Sequence, residues 1–349
     1  MLFLLSLKQA KVWGGVRGLV IFMKTILHSK YEDIISVENL LSAWQEFFMG
    51  KRNKRDVQEF QFNLMNNILS LHRDLSNHAY KHDGYEEFKI SDPKPRIIHK
   101  ASVRDRLLHR AVYRILYPFF DKTFIADSFS CRNDKGTHKA INRFREFAHI
   151  VSKNNTKTCW VLKCDVRKFF ASIDQDILLK ILEESIKDER IVDLLSEIVS
   201  SFDGGKPILG LPLGNLTSQL FSNVYMNEFD QFVKHNLKAK YYIRYADDFV
   251  ILSEDKNCLT KHISLIKNFM QDKLSLTLHP DKIFIKTLFS GIDFLGWVHF
   301  KAHRVLRSRT KIRMFKKMLN SQKQGSVDSY LGLFIHGNSY KIREKLLKF

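Results

Sequence analysis

The sequence predicts an α+β fold in which helices pack on a largely antiparallel sheet. Short runs rich in β-branched and aromatic residues alternate with longer stretches of helical periodicity, and no internal repeat or low-complexity tract interrupts them. Two of the short runs, Lys240–Arg244 and Phe249–Ser253, flank a tight turn, which is the pattern of an antiparallel hairpin. A mixed order of strands and helices fits the α+β class.

The elements follow from periodicity and from the residues that end each run. The predicted helices repeat apolar residues every three or four positions and are Val37–Met49, Val57–Leu75, Arg104–Phe120 and Gln175–Ile186. The predicted strands are short apolar runs, namely Glu87–Ile90, Arg96–Ile98, Thr158–Asp165 and the two runs of the hairpin. The turn Ser91–Pro95 joins the first two strands, because its two prolines and its serine disfavour both helix and strand.

Three carboxylates stand at the ends of predicted strands. Asp247 and Asp248 lie in the turn of the hairpin, and Asp165 ends the strand Thr158–Asp165. Adjacent carboxylates repel each other and prefer water, so a rigid turn that carries two of them is costly unless cations compensate. Two metal ions about 3.5–4 Å apart use such ligands in phosphoryl transfer. The alternative for the tetrapeptide Tyr245–Asp248 alone is a solvated surface turn.

These residues resemble the catalytic motifs of reverse transcriptases. Asp165-Val-Arg-Lys-Phe-Phe170 and Tyr245-Ala-Asp-Asp248 are similar to the two metal-binding motifs of that family. Further blocks follow in the family's order: Lys94–Arg106, Ser128–Arg132, Gly136–Ala140, Gly210–Gly214, Leu278–Lys282 and Gly291–Trp297. The resemblance covers roughly residues 50 to 349 and implies a right-hand polymerase with fingers, an antiparallel-sheet palm and a short helical thumb.

The resemblance implies an enzyme, an RNA-directed DNA polymerase. Asp165, Asp247 and Asp248 would be catalytic and would hold two Mg²⁺ ions together with the backbone carbonyl of Val166, with Mn²⁺ as a substitute in vitro. The primer 3′-hydroxyl would then attack the α-phosphate of an incoming deoxynucleotide. Of the adjacent pair, the family implies that Asp247 is the more indispensable.

The resemblance also assigns nucleotide-binding residues: Lys89, Arg96, Phe170, Gly214, Gln219 and Lys282. Arg96, with Lys89, would clamp the triphosphate, since a guanidinium grips phosphate bidentately. Phe170 lies where the family places a steric gate against the ribose 2′-hydroxyl, and Lys282 corresponds to a lysine that protonates the leaving pyrophosphate. The alternatives are core packing for Phe170 and solvated surface charges for Lys89 and Lys282.

The charge of the chain independently favours a nucleic-acid partner. Lys and Arg number 57 against 37 Asp and Glu, which gives a net charge of +20. Lys301–Lys317 holds eight Lys or Arg and no acid, and Lys51–Arg55 is a second cluster. The alternative for both is a solvated helix face. We expect an RNA template and a DNA or RNA primer as partners, contacted by Arg132, Tyr245, Lys311 and Arg313.

The segment Leu213–Gln219 favours one subtype. Group II intron and retroviral-type enzymes usually carry Gln-Gly where this chain has Leu213-Gly214, and Ser218-Gln219 follows. This pattern resembles the error-prone reverse transcriptases of diversity-generating retroelements, and that likeness implies a small basic helical accessory protein as a further partner. The alternatives are an antiphage-defence or abortive-infection enzyme, a retron-like enzyme and a non-catalytic RNA-binding scaffold. The intact set of three aspartates argues against the scaffold.

Cysteine usage and hydropathy predict a reduced, cytoplasmic protein without a membrane segment. The four cysteines, Cys131, Cys159, Cys164 and Cys258, have no metal-ligand spacing and are interpreted as core thiols. We expect the native chain to start at Met23. The expected divisions are residues 1–22 as an upstream extension from gene prediction, 23–88 as an N-terminal helical region, 89–155 as fingers, 156–299 as palm with some finger elements interleaved, and 300–349 as thumb.

Overall fold

A computed structural model describes residues 10–11, 22–23, 25–91, 94–203, 205, 208–320 and 324–346. For residues 10–11, 22–23, 319–320, 324–327 and 345–346 it describes the backbone alone. The expected extension 1–22 therefore lies almost entirely outside the described residues.

Helices and short strands are interspersed along the described chain. The strands are β1 (Ala10–Lys11), β2 (Phe22–Met23), β3 (Glu86–Ile90), β4 (Arg96–Lys100), β5 (Trp160–Asp165), β6 (Tyr242–Tyr245), β7 (Asp248–Ser253), β8 (Phe284–Thr287), β9 (Ile292–Phe294), β10 (Trp297–His299) and β11 (Arg304–Leu306). The helices are α1 (Tyr31–Ile35), α2 (Val37–Phe48), α3 (Arg55–Phe62), α4 (Leu64–Ser76), α5 (Val103–Asp121), α6 (Thr137–Val151), α7 (Phe169–Ser172), α8 (Gln175–Ser185), α9 (Glu189–Ser200), α10 (Leu216–Gln231), α11 (Lys256–Leu274), α12 (Ser308–Asn320), α13 (Gln324–Phe334) and α14 (Tyr340–Leu346).

Every paired strand in the described residues is antiparallel. A four-stranded sheet has the order β6-β7-β5-β8, a three-stranded sheet has the order β11-β10-β9, and β1-β2 and β3-β4 are two-stranded. The predicted α+β class with an antiparallel sheet is confirmed. By internal contacts the chain divides into two compact units, unit 1 (Met1–Ile125, Arg167–Asn236 and Met270–Leu276) and unit 2 (Ala126–Val166, Leu237–Phe269 and Thr277–Phe349). The division into fingers, palm and thumb stays a prediction.

Unit 1 is mainly helical and is organised around α5. This helix packs against α2 and α10 through buried apolar residues such as Leu107, Leu108 and Val112. The predicted helix Val57–Leu75 is wrong as a continuous element. Asn63, with φ −113° and ψ 35°, leaves the helical region and separates α3 from α4.

Unit 2 packs α6 against the four-stranded sheet. Phe144 and Phe147 of α6 contact a cluster that includes Val161, Val250 and the three-stranded-sheet residue Phe294. The apolar residues of α6 recur every three or four positions and therefore form one face of the helix. That face packs against the strands.

The cysteine prediction is confirmed in part. Cys159 and Cys164 are buried, and burial raises the pKa of each thiol to about 12. Cys131, in contrast, is exposed, so its interpretation as a core thiol is wrong. Its φ of +53° places it in a turn rather than in a packed element. In the described part of the chain, no helix is both long and apolar enough to cross a bilayer.

Candidate active site

Strand pairing in unit 2 brings the three predicted aspartates to one end of the four-stranded sheet. In the β5–β7 pair, Asp165 and Asp248 are directly opposed. In the β6–β7 pair, Tyr245 and Asp248 are the last partners, so Ala246 and Asp247 form the turn between the strands. The predicted hairpin is confirmed, and its two carboxylates lie beside β5, the strand that ends in the third carboxylate, Asp165.

The turn contains a residue in the left-handed region of backbone space. Ala246 has φ +56°, a conformation that costs a residue with a Cβ atom about 1–2 kcal/mol. Two hydrogen bonds hold it: Nη1 of the fully buried Arg244 donates to the Ala246 carbonyl at 3.2 Å, and the Val166 N–H donates to the Asp247 carbonyl at 3.2 Å. Arg244 is not among the predicted site residues, although an arginine inside an apolar strand is a usable signal in the sequence, because a buried guanidinium requires a partner.

Residues 278–282, the segment that contains Lys282, contact the end of β5 through backbone hydrogen bonds. The His279 N–H donates to the Asp165 carbonyl at 2.8 Å, and Val166 forms an isolated antiparallel bridge with Leu278. Lys282 Nζ lies 2.8 Å from Asp165 Oδ1, and its side chain is 41% exposed. The structure therefore joins the predicted Lys282 directly to a predicted metal ligand.

A second lysine, which sequence analysis missed, is paired with Asp248. Lys163 Nζ lies 2.9 Å from Asp248 Oδ2 and 2.8 Å from the Asp293 carbonyl oxygen. Both side chains of the ion pair are mostly buried, with exposures of 12% and 20%. Lys163 precedes Asp165 by two residues, so both point to the same face of β5. In the sequence, the available signal was a lysine within an apolar strand, two positions before the predicted metal ligand Asp165.

Burial sets the protonation behaviour of Asp248. Loss of water raises the pKa of the Asp248 carboxyl to about 6; Lys163 opposes this rise, and the neighbouring charges of Asp165 and Asp247 add to it. Asp248 Oδ1 is buried and has no hydrogen-bond partner among the described residues. An oxygen in that state is stabilised by any cation that reaches it.

The donor chemistry fits a divalent cation. Carboxylate oxygens are the ligands that Mg²⁺ prefers, and the strand register supplies Asp165, Asp247 and Asp248 at one sheet end. In the ranges that the structure describes, no group of three or more His, Cys, Asp or Glu side chains converges on one point. Asp165 and Asp248 are instead neutralised by Lys282 and Lys163.

Two predicted nucleic-acid contacts lie beside the same hairpin. The Tyr245 hydroxyl accepts a hydrogen bond from Thr137 Oγ1 at 3.1 Å, which ties the hairpin to the start of α6. Arg132 Nη1 donates to the Ser128 carbonyl at 3.1 Å. Ser128 forms a parallel bridge with Arg244, so the Arg132 segment extends along the edge of β6.

Lys311 and Arg313 lie on α12, within the basic run 301–317. Met314 and Met318 of this helix are buried in a cluster with Trp297. Lys311 and Arg313 are partly exposed. The helix therefore buries its methionines, as an amphipathic helix does, and its nucleic-acid role stays a prediction.

In unit 1, the β3–β4 hairpin carries the two residues predicted to bind triphosphate. Lys89 is paired with Ile97, and Arg96 is paired with Ile90 across the hairpin. Lys89 and Arg96 are exposed, so both charged groups reach solvent. No described residue forms an ion pair with either one.

Gly214 lies against this hairpin. The Leu213 carbonyl accepts a hydrogen bond from the His99 N–H at 2.9 Å, and Asn215 Nδ2 donates to the His99 carbonyl at 3.0 Å. Gly214 has φ +112°, and a Cβ atom there would lie 2.7 Å from Ile98 Cγ2. Glycine is required for both reasons, so the structure assigns Gly214 a backbone role in docking this loop on β4.

Phe170 and Gln219 are the other predicted nucleotide-binding residues of unit 1. The Phe170 carbonyl accepts a hydrogen bond from the Leu211 N–H at 2.8 Å, so the loop that ends at Gly214 also fixes α7. Phe169 is the buried member of the phenylalanine pair, and Phe170 is partly exposed. Gln219 is partly exposed on α10, whereas its neighbour Ser218 is buried.

Much of the chain is similar to a known protein family and to two bacterial proteins. Residues 81–299 match the family model described as "Reverse transcriptase (RNA-dependent DNA polymerase)". Protein YkfC of Escherichia coli K12 is 26% identical over 258 residues, which cover 63% of this chain and 66% of that protein. The group II intron-encoded protein LtrA of Lactococcus lactis is 24% identical over 316 residues, which cover 70% and 50%. The chain thus spans two thirds or less of the length of these relatives.

Among solved structures, the chain is similar to telomerases of two yeasts. Apo telomerase of Candida tropicalis, truncated from the C-terminal domain, matches with a TM-score of 0.48 and 13% identity over 70% of this chain and 60% of that chain. Telomerase of Candida albicans in complex with a fragment of telomeric RNA matches with a TM-score of 0.49 and 12% identity over 70% and 52%.

Removal of the Lys163 ammonium is expected to destabilise the protein, because Asp248 would stay buried without its counter-ion. Lys163→Met should lower the free energy of unfolding by about 3–5 kcal/mol above about pH 7. Burial raises the pKa of the Asp248 carboxyl and Lys163 opposes that rise, so without Lys163 the folded protein should bind a proton at Asp248 at a higher pH than the wild type does. The deficit should therefore shrink as the pH falls towards about 5, as measured by urea denaturation.

Two control variants distinguish loss of the Lys163–Asp248 ion pair from loss of a positive charge in general. Lys261→Met removes an exposed ammonium from α11 and should change the free energy of unfolding by less than about 0.5 kcal/mol. The double variant Lys163→Met/Asp248→Asn should recover most of the loss, because both members of the pair are gone. If Lys163→Met were as stable as the wild type, the ion pair would have no structural role.

Proposed function

Since the chain belongs to the reverse transcriptase (RNA-dependent DNA polymerase) family, we propose that Asp165, Asp247 and Asp248 are its catalytic residues in DNA synthesis on an RNA template. The observation that carries this proposal is the strand register that opposes Asp165 to Asp248 beside the Asp247 turn. Three carboxylates in that arrangement supply the ligands that nucleotidyl transfer requires.

The proposed reaction forms one bond and breaks another. The primer 3′-hydroxyl loses its proton, its oxygen bonds to the α-phosphorus of a deoxynucleotide, and the bond from that phosphorus to the bridging oxygen breaks to release pyrophosphate. Two Mg²⁺ ions, when bound, would activate the attacking oxygen and stabilise the leaving one. The three aspartates and the Val166 carbonyl would hold them.

The two lysines of unit 2 have different proposed roles. Lys163 is mostly buried and bonded to both Asp248 and β9, so it keeps Asp248 ionised and oriented. Lys282 is more exposed and contacts Asp165 alone among the described carboxylates. A cation that binds Asp165 Oδ1 would take the place of the Lys282 ammonium, and the freed Nζ could then donate its proton to the leaving pyrophosphate.

The residues of unit 1 would act on the nucleotide. Arg96 projects from the β3–β4 hairpin with a guanidinium that can bind a triphosphate, and Lys89, in the adjacent cross-strand pair, projects from the opposite face of the hairpin. Phe170, whose ring is partly exposed, is the proposed gate against a ribose 2′-hydroxyl. Gly214 docks the loop on β4, and Gln219 is the proposed nucleotide contact on α10.

Within the family, we propose that the chain is the error-prone enzyme of a diversity-generating retroelement, with a small basic helical accessory protein as partner. Support comes from Leu213-Gly214 in place of Gln-Gly, with Ser218-Gln219 after it. The second candidate is an intron-encoded enzyme, which is favoured by the similarity to LtrA. The defence-related and retron-like enzymes share the same catalytic core and differ in genomic context.

The catalytic proposal predicts metal-dependent primer extension that requires Asp247. Asp247→Asn should lower the extension rate on an RNA template by about 10²–10³-fold or more, because a proposed ligand of the metal ions that would stabilise the transition-state charge is lost. Asp272→Asn, at an exposed position of α11, should extend like the wild type. Both variants should still bind the primer–template. A wild-type protein that binds RNA but never extends a primer would support the scaffold alternative instead.

The retroelement proposal predicts frequent errors at template adenines. Sequencing of cDNA copied from one RNA by the wild type should show misincorporation concentrated opposite adenine. Leu213→Gln should reduce it, because this change restores Gln-Gly while the Leu213 carbonyl keeps its bond to His99. Error rates at adenine equal to those of a Gln-Gly enzyme copying the same RNA would favour the intron-encoded candidate.

A further inference from the structure

Unit 2 contains two neighbouring cavities at the end of the four-stranded sheet opposite the aspartates. The larger, of about 620 Å³, lies between α6, the β10–β11 loop and residues 335–338. The smaller, of about 360 Å³, lies between residues 152–159 and 287–289, and both are lined by Leu288 and Lys301.

The strand register gives the distance between the cavities and the aspartates. Trp160 is paired with Thr287 at one end of the sheet, and Asp165 ends the same strand. Five residues of β-strand separate Trp160 from Asp165, which is about 16 Å. The Leu288 N–H donates to the Cys159 carbonyl at 2.9 Å, so the smaller cavity is fixed to this far end. The cavities are therefore separate from the candidate active site.

The wall of the larger cavity is strongly basic. Arg145, Lys301 and Arg304 contribute three permanent positive charges, and four histidines line the same space. The acidic lining residue, Glu146, already forms an ion pair with Arg143 at 3.0 Å. The local charge favours an anionic occupant.

Arg304 gives an independent indication of an anion. Its side chain is 8% exposed in this structure and donates hydrogen bonds to the Ile141 carbonyl (3.0 Å), to Asn142 Oδ1 (2.8 Å) and to the His336 carbonyl. These acceptors are neutral, and no described carboxylate lies within ion-pair distance. Burial and the charge of Arg145 lower the pKa of the guanidinium. A buried cation without a counter-ion is costly, and an anion in the cavity would relieve that cost.

Aromatic rings lie among these charges. Phe289 is 83% exposed and lines the smaller cavity together with Lys157 and Lys301. In the larger cavity, Phe300 stacks on His303 with ring centroids 5.1 Å apart and an interplanar angle of 20°. An exposed phenylalanine between lysines offers a base a surface to stack on while the charges bind phosphates. A free phosphate would account for the charge but not for the rings.

We propose that these two cavities form a second binding site, for single-stranded nucleic acid, at the sheet end remote from the aspartates. Phosphates would lie against Lys157, Lys301 and Arg145, and bases would stack on Phe289 and Phe300. Both cavities lie within the range of about 300–1,000 Å³ that is typical of small-molecule and cofactor pockets, so each has room for a nucleotide.

The test measures equilibrium binding of single-stranded RNA to the full chain, without nucleotides or divalent cations. Fluorescence anisotropy with an oligonucleotide of about 16 nucleotides covers one compact site. An excess of unlabelled blunt primer–template duplex occupies the copying site. Because no reaction is followed, an inactive polymerase would not affect the outcome.

The charge variant is Lys157→Gln/Lys301→Gln, and its matched control is Lys261→Gln/Lys267→Gln on α11. All four lysines are exposed, so neither variant disturbs the core. The cavity variant should weaken binding about tenfold and reduce the slope of log affinity against log salt by about 1.4, since each phosphate contact contributes about 0.7. The control should leave both quantities near the wild-type values.

A stacking variant tests the same site without a change of charge. Phe289→Ala should weaken binding about fivefold or more with the salt slope unchanged. The effects should be the same for single-stranded DNA, because phosphates and base faces are common to both polymers. Photocrosslinking of RNA that contains 4-thiouridine should label residues 287–303.

Three results would overturn the proposal. The first is unchanged affinity in both the charge variant and the stacking variant. The second is an equal loss in the α11 control, which would show a general charge effect. The third is crosslinking that avoids residues 287–303 altogether.

Discussion

The structure of unit 2 depends on the opposition of Asp165 to Asp248 across two neighbouring strands. Like charges directly opposed in a sheet are destabilising, and burial of Asp248 adds to the cost. Lys163 and Lys282 offset it from the two sides. Two hydrogen bonds connect neighbouring segments to the same end of β5: Lys163 Nζ donates to the Asp293 carbonyl of β9, and the His279 N–H donates to the Asp165 carbonyl.

Under the proposed function, the same pair of aspartates would bind and release metal ions. Lys163 is fixed by two partners, so it serves as a permanent counter-ion for Asp248. Lys282 is more exposed, and in the proposed mechanism a metal ion would displace it from Asp165. The two ammonium groups lower the cost of the opposed carboxylates, and displacement of Lys282 would make Asp165 available to a metal ion. The strained Ala246 turn, which is held by Arg244, keeps Asp247 beside them.

Much of the fold and of the candidate site could be predicted from local sequence patterns. The other features depend on the pairing register between segments that are distant in the chain. The hairpin at Tyr245–Asp248 was predictable because turn chemistry and strand pattern are local. The roles of Lys163 and Arg244 depend on the order of the strands in the sheet. The periodicity of the sequence does not indicate that order. The split of Val57–Leu75 at Asn63 was also missed, since an apolar repeat continues through a single non-helical residue. The sequence does not indicate Arg304 as a candidate anion contact, because its hydrogen-bond partners come from two distant segments, residues 141–142 and His336.

Binding of Mn²⁺, followed by electron paramagnetic resonance with the primer–template bound, reports cation binding at the aspartates without catalysis. We expect Asp165→Asn to lose Mn²⁺ binding and Lys282→Met to bind Mn²⁺ more tightly than the wild type, since the competing ammonium is gone. If Asp165→Asn bound Mn²⁺ like the wild type, or if Lys282→Met bound it no more tightly, the proposed exchange between lysine and metal at Asp165 would be contradicted.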